Sequence, residues 1–204
     1  MSRAPALAGV ILAAGASSRM GSDKALLTWR GQTLLDAHIK LLQPETDLVI
    51  VVVGANVESL KPIVYERAAF VAINPQPELG QFSSLRVGLQ SVLNYGRDAA
   101  IVALVDRPPV SAETLTALRA EFFADIERGK WAVIPEVNGV HGHPILISRE
   151  MIEAFLRAPA AGNARQVQHE YQERIRYVPV RDAAATVNWN TPEDYAKGLT
   201  ELHS

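Results

Sequence analysis

Apolar runs rich in Val, Ile, Leu and Ala recur at Leu7–Leu12, Leu48–Val53, Phe70–Ile73, Ala99–Val105, Trp131–Ile134, Ile145–Ile147 and Ile175–Val180. Each is of strand length. The clearest, "DLVIVVVG" and "AAIVALVD", are unbroken rather than alternating. A strand with one wet face alternates apolar and polar residues, whereas an unbroken run predicts cover on both faces, as in a parallel sheet.

Helical spacing fills the intervals. "TLLDAHIKLLQ" carries Leu34, Leu35, Ile39, Leu41 and Leu42, with Thr33 as N-cap and Asp36 three residues on. "SSLRVGLQSVLN" repeats the amphipathic pattern, with Ser83 available as its cap, and "SAETLTALRAEFFADIER" opens on Ser111 and closes at Gly129. A last helix is expected from "NTPEDY": Thr191 caps, Pro192 starts the first turn, and Glu193 and Asp194 meet the positive end of the helix dipole. Strands alternating with helices predict right-handed crossovers and a doubly wound α/β sheet. "HGHPILIS" follows "WAVIPEVNG" so closely that the two can pair antiparallel, which makes the sheet mixed but mostly parallel. No linker, repeat or low-complexity segment interrupts residues 1–204, so a single three-layer α/β/α domain is expected.

Composition narrows the classes. The chain has 204 residues, no cysteine and a formal net charge of −2. Disulfides, thiolate metal sites and thiol nucleophiles are excluded. Without a basic block, binding to nucleic acid through its backbone charge is not expected, though free nucleotides need only a few local cations. The N-terminal apolar run is too short to span a bilayer and flows into a core strand, so a cytoplasmic protein with no membrane partner is expected.

In a doubly wound sheet, ligands sit at the carboxyl ends of the strands. The first strand ends in "LAAGASSRMGSDK", a glycine-punctuated loop with two cations. It is not a P-loop, because five residues separate Gly15 and Gly21, and Ser22 and Asp23 intervene before Lys24. Nor is it a dinucleotide fingerprint, because Ser17 stands where the second glycine belongs. What remains is a longer loop able to wrap a triphosphate with backbone N–H groups, with Arg19 and Lys24 supplying charge and the small Ala13, Ala14 and Gly15 letting a nucleotide lie against the chain. A surface loop with two solvated cations is the plainer reading. Asp106 ends the strand "IVALVDRPPV" beside prolines that stop the ladder, so it faces the same crevice.

"LAAGASSRMGSDKALL" resembles the signature of the molybdenum-cofactor nucleotidyltransferases, the MobA/MocA-like NTP transferases. The resemblance implies a Rossmann-like fold of the nucleotide-diphospho-sugar transferase type. It also implies Mg²⁺-dependent transfer of a nucleoside monophosphate onto a phosphorylated acceptor, with release of pyrophosphate. Carried over, Leu12, Ala13, Ala14 and Gly15 would hold the nucleotide, and Arg19 and Lys24 its phosphates. "NPQPELGQFSSLRVGL" is similar to the family's second segment, which implies Asn74, Ser83 and Ser84 around base and sugar. Asp106 matches the family's metal-binding aspartate, although Arg107 replaces a more usual neutral residue. Asn188 and Asn190 stand where cytidylyl members tend to have aspartates and guanylyl members asparagines, and an amide oxygen binds Mg²⁺ more weakly than a carboxylate. "AAGNARQV" resembles a reduced form of a cytidylyl-branch segment, with Asn163 in place of an acid.

His143 of "HGHP" is expected on the acceptor side of the cleft; with His141 it could also form a metal pair, for which no third ligand is evident. "LAAG" accompanies cytidine nucleotides in the family and "LAGG" guanosine, so Ala14 favours CTP over GTP, with molybdopterin or a similar phosphorylated pterin as acceptor. A molybdenum enzyme is the implied downstream partner. The alternatives are a sugar-phosphate nucleotidyltransferase and a non-catalytic nucleotide-binding chaperone or regulator of a molybdenum enzyme. A hydrolase lacks an acid pair or a nucleophile with a histidine partner.

Overall fold

The computed structural model describes residues 5–15, 23–189 and 191–201. Ten strands are present among them: β1 (Leu7–Leu12), β2 (Thr28–Trp29), β3 (Gln32–Thr33), β4 (Leu48–Val53), β5 (Phe70–Ile73), β6 (Ala99–Leu104), β7 (Ala132–Val137), β8 (Val140–His141), β9 (Ile145–Ser148) and β10 (Ile175–Pro179). The helices are α1 (Leu34–Leu42), α2 (Val57–Glu66), α3 (Gln81–Asn94), α4 (Ala112–Ile126), α5 (Arg149–Arg157), α6 (Ala164–Glu170) and α7 (Pro192–Glu201).

The main sheet has the order β10-β7-β9-β6-β1-β4-β5, with β8 paired to β7. β5, β4, β1 and β6 run parallel, as do β7 and β10. β9 lies antiparallel between β6 and β7, which is the short-link pairing the sequence allows. The result is a mostly parallel, mixed α/β sheet, with β2 and β3 forming a separate two-stranded ribbon.

The unbroken apolar runs are explained by two separate cores. Leu7, Ile11, Val49, Val51, Val53, Ile101 and Ala103 pack on one face against α1, α2 and α4. Ala8, Val10, Ile50, Val52, Ala100, Val102 and Leu104 pack on the other against α3 and α5. Period-2 side chains then demand an apolar residue at every position. One close approach fixes α3. A Cβ at Gly88 would lie 2.7 Å from Val10 Cγ1 and 2.9 Å from Val52 Cγ2, so only a glycine lets the helix sit this near the sheet.

Helix starts follow the expected chemistry with two differences. The Ser111 side chain accepts from the Thr114 N–H, and Thr191 Oγ1 accepts from the Asp194 N–H while Asp194 Oδ2 accepts from the Thr191 N–H. Thr33 Oγ1 accepts from the Asp36 N–H, but the Asp36 carboxylate turns away to Arg67 Nε (2.5 Å) and Lys40 Nζ (2.8 Å). Burial works against the Asp36 charge, and those two cations more than offset it, holding its pKa below the usual carboxylate value. α3 begins at Gln81 with Gly80 as its N-cap, so Ser83 is not the cap. Its hydroxyl donates instead to the Gly80 carbonyl (2.8 Å).

Candidate active site

At the carboxyl end of β1 the side chains keep alternating. Ala13 points into the core shared with α1, while Leu12 and Ala14 point toward α3. An open cleft of about 280 Å³ begins there, walled on one side by Leu12, Ala14 and Gly15. Lys24 and Asp23 close the near end, and Val105 and Asp106 rise from the end of β6. Gly80, Gln81 and Ser84, from the first turn of α3, form the opposite wall, with Pro77 beside them. Gly80 has no side chain to cap the helix, so no side chain covers the first turn of α3, which lines the cleft through Gly80, Gln81 and Ser84.

Two charged groups meet inside. Lys24 Nζ lies 3.7 Å from Asp106 Oδ2, with their side chains 15% and 31% exposed, so both have access to a ligand. Lys24 opens a short 3₁₀ turn capped by Asp23, whose Oδ1 accepts from the Ala25 N–H at 3.0 Å. Asp106 is set by its backbone. Its carbonyl accepts from the Trp189 N–H (3.3 Å), the Val105 N–H donates to the Leu12 carbonyl (3.2 Å), and the Arg107 carbonyl accepts from His38 Nε2 (2.9 Å).

Asn74 is buried and stands one layer back. Its Nδ2 donates to Ser83 Oγ (2.8 Å) and Ser84 Oγ (2.9 Å), and its Oδ1 accepts from the Gln76 N–H (3.0 Å). Of this trio only Ser84 lines the cleft. Ala13 contributes backbone rather than side chain, its N–H donating to the Val52 carbonyl at 2.8 Å. Asn188 is exposed next to Trp189, whereas Arg19 and Asn190 lie outside the described residues.

His143 faces elsewhere. With His38 and Arg107 it lines a small cavity behind the Asp106 loop. The Nδ1 atoms of both histidines and the Arg107 Nε are buried and find no hydrogen-bond partner among the described residues. Burial, followed by the nearby Arg107 charge, lowers the His143 pKa to about 3. Burial also lowers the pKa of His38, although its bond to the Arg107 carbonyl and the charge of Asp106 act the other way. His141 diverges from His143, stacking on Tyr177 at 3.8 Å with its Nε2 3.3 Å from Glu136 Oε2. Among the described residues no group of three or more His, Asp or Glu could by itself hold a metal ion.

Several lining residues escaped the sequence reading: Asp23, Pro77, Gly80 and Gln81 in the cleft, and Asn56, His38 and Trp189 around it. Asn56 follows the apolar run of β4 as Asp106 follows that of β6, so the same strand-end reasoning would have found it. The others depend on contacts distant in sequence.

A phosphate-suited cleft at the carboxyl edge of a mostly parallel sheet defines an α/β nucleotide-handling class. The chain belongs to the MobA-like NTP transferase domain family, whose model matches residues 9–175. It is 32% identical over 196 residues to a molybdenum cofactor guanylyltransferase from Xanthomonas euvesicatoria pv. vesicatoria (strain 85-10), covering 95% of this chain and 94% of the relative. It is 26% identical over 190 residues to a molybdenum cofactor cytidylyltransferase from Escherichia coli (strain K12), covering 91% and 92%. The crystal structure of Rv0371c from Mycobacterium tuberculosis H37Rv superposes with a TM-score of 0.80 at 25% identity, covering 98% of this chain and all of that one. The chain is therefore a nucleotidyltransferase, and the non-catalytic reading falls away. Among the described residues no helix is long and apolar enough to cross a membrane.

Proposed function

We propose that the protein transfers a nucleoside monophosphate, from CTP in preference to GTP, onto the phosphate of molybdopterin or a similar phosphorylated pterin, releasing pyrophosphate. The observation that carries this reading is the convergence of Ala14, Gly15, Lys24, Ser84 and Asp106 on one cleft, with Lys24 and Asp106 3.7 Å apart. The acceptor phosphate attacks the α-phosphorus in line, and the bond from that phosphorus to pyrophosphate breaks. No protein nucleophile or general base is needed, because a phosphate monoester is already ionised near neutral pH. Catalysis then rests on holding two anions together and neutralising the charge that builds on the leaving oxygens.

Lys24 supplies one cation for the triphosphate, Arg19 a second, and the open start of α3 faces the nucleotide. Asn74 holds Ser83 and Ser84 in place for base and sugar. Ala14, which lines the cleft, supports CTP because "LAAG" accompanies cytidine nucleotides in the family. Asp106 fits Mg²⁺, a hard cation that takes one or two carboxylates and keeps sites for phosphate and water. Asn188 and Asn190 would add amide oxygens. When bound, the ion would draw negative charge from the triphosphate oxygens. The product suits delivery to a molybdenum enzyme, and a cytoplasmic setting suits the absence of cysteine.

The test is pyrophosphate release with Mg²⁺, pitting CTP against GTP, ATP and UTP over molybdopterin and a set of sugar phosphates. Acceptor-dependent release with CTP and molybdopterin is expected. Release only with a sugar phosphate, or with GTP alone, would replace the acceptor or the base. Asp106→Asn should abolish metal-dependent turnover with an unchanged melting temperature, and near-wild-type turnover would remove Asp106 from the metal site.

A further inference from the structure

We infer that Asn56 is a positioning residue that clamps both flanks of the phosphate loop and so sets where Lys24 stands. The inference rests on the nucleotidyltransferase reading for its consequence, but not for its geometry.

Asn56 occupies the N-cap position of α2, where an asparagine ordinarily accepts from the helix's own N–H groups. Here it makes no such bond. Its Nδ2 donates instead to the Ala13 carbonyl at 2.8 Å and to Asp23 Oδ2 at 2.6 Å. Its Oδ1 accepts from the Gly54 N–H at 3.0 Å, which locks the amide in orientation. All of its side-chain capacity except one acceptor lone pair is thus spent on the loop and on its own turn. One nitrogen binds residue 13, before the loop of residues 14–22, and residue 23, after it.

The second bond reaches the chemistry through one residue. Asp23 uses its other oxygen to cap the turn that begins at Lys24, and the Lys24 ammonium stands 3.7 Å from Asp106 in the cleft. A carboxylate accepting from an amide N–H forms a charge-assisted bond, stronger than a neutral pair. Tying both flanks to one side chain fixes residues 13 and 23 before a triphosphate arrives, so less freedom is left to be lost at those positions on binding. A residue serving only the stability of α2 would have kept the cap.

The test compares Asn56→Ala, Asn56→Asp, Asp23→Asn and the double variant Asn56→Asp/Asp23→Asn. It measures the Kd of CTP and GTP with Mg²⁺ by calorimetry, amide hydrogen exchange at Gly54 and Ala25, and thermal melting. Asn56→Ala is expected to weaken triphosphate binding on the order of tenfold with little change in melting temperature. Asn56→Asp sets two carboxylates against each other and should bind more weakly still. The double variant restores a donor facing an acceptor across the loop and should recover part of that loss, a rescue that loss of helix stability would not produce. Wild-type affinity in Asn56→Ala, or a double variant no tighter than Asn56→Asp, overturns the clamp. If the wild-type protein binds no triphosphate, the nucleotide reading fails and exchange alone judges the clamp. Faster exchange at Gly54 and Ala25 in Asn56→Ala, with the core unaffected, upholds it; unchanged exchange at both overturns it.

Discussion

Lys24 is where the glycine-rich stretch and the structure agree on a single atom. Its Nζ faces Asp106 Oδ2 in the cleft, and a triphosphate entering there offers it a more highly charged partner. Lys24→Ala should therefore weaken CTP binding by about 2 kcal/mol, the scale of a lost charge-assisted contact, measured by calorimetry. Unchanged affinity would take Lys24 out of the site. Asp106 was legible because it directly follows an apolar strand run, and Lys24 because it closes the glycine-punctuated loop that leaves the end of β1; both line the cleft. His143 was legible as a motif residue but not in its direction. Its side chain lines the small cavity shared with His38 and Arg107 rather than the cleft, and nothing in the order of "HGHP" encodes which way a side chain points at the edge of a strand. Asn74 shows a similar limit: the sequence names it, but only packing reveals that its amide is fully engaged by Ser83, Ser84 and Gln76.

At the level of elements, apolar content was a sufficient guide wherever a strand is covered on both faces. The main-sheet strands expected from β1 to β10 lie where the runs predict, to within a few residues at their ends. β8 and the β2–β3 ribbon are two-residue strands, too short to leave any period. α2 was obscured by Pro62 within it and by a largely exposed face. α3 carries a sharper consequence. Gly88→Ala would ordinarily favour a helix by up to about 1 kcal/mol. Here the added methyl meets Val10 and Val52, both buried on neighbouring strands, and the variant should lose about 1–3 kcal/mol in chemical denaturation. Because the first turn of α3 walls the cleft, nucleotide affinity should fall with it. A stabilised Gly88→Ala protein would show that the helix can lift off the sheet without penalty.

For the molecule as a whole, the buried neutral histidines set a pH dependence. His143 has a pKa of about 3 when folded, against about 6.5 for an unfolded histidine, and His38 is displaced in the same direction. Between those values the unfolded chain binds more protons than the folded one, so stability is complete above pH 6.5 and falls as the pH drops toward 3. The slope can reach about 1.4 kcal/mol per pH unit for each histidine. Urea denaturation between pH 7.5 and 5, where carboxylates such as Asp36 remain ionised, should show this decline, and His143→Gln should flatten it. An equal slope in the variant would assign the effect to other groups. The bonds that fasten the Asp106 loop also bear on how the chain is made. Asp106 is held by the Trp189 N–H, and the Ala185 carbonyl accepts from the His143 N–H and from Arg107 Nη1. On the ribosome, the loop end that bears Lys24 emerges more than 150 residues before Trp189 does. Lys24 and Asp106 are therefore both synthesised well before the Trp189 N–H that fastens the Asp106 carbonyl exists.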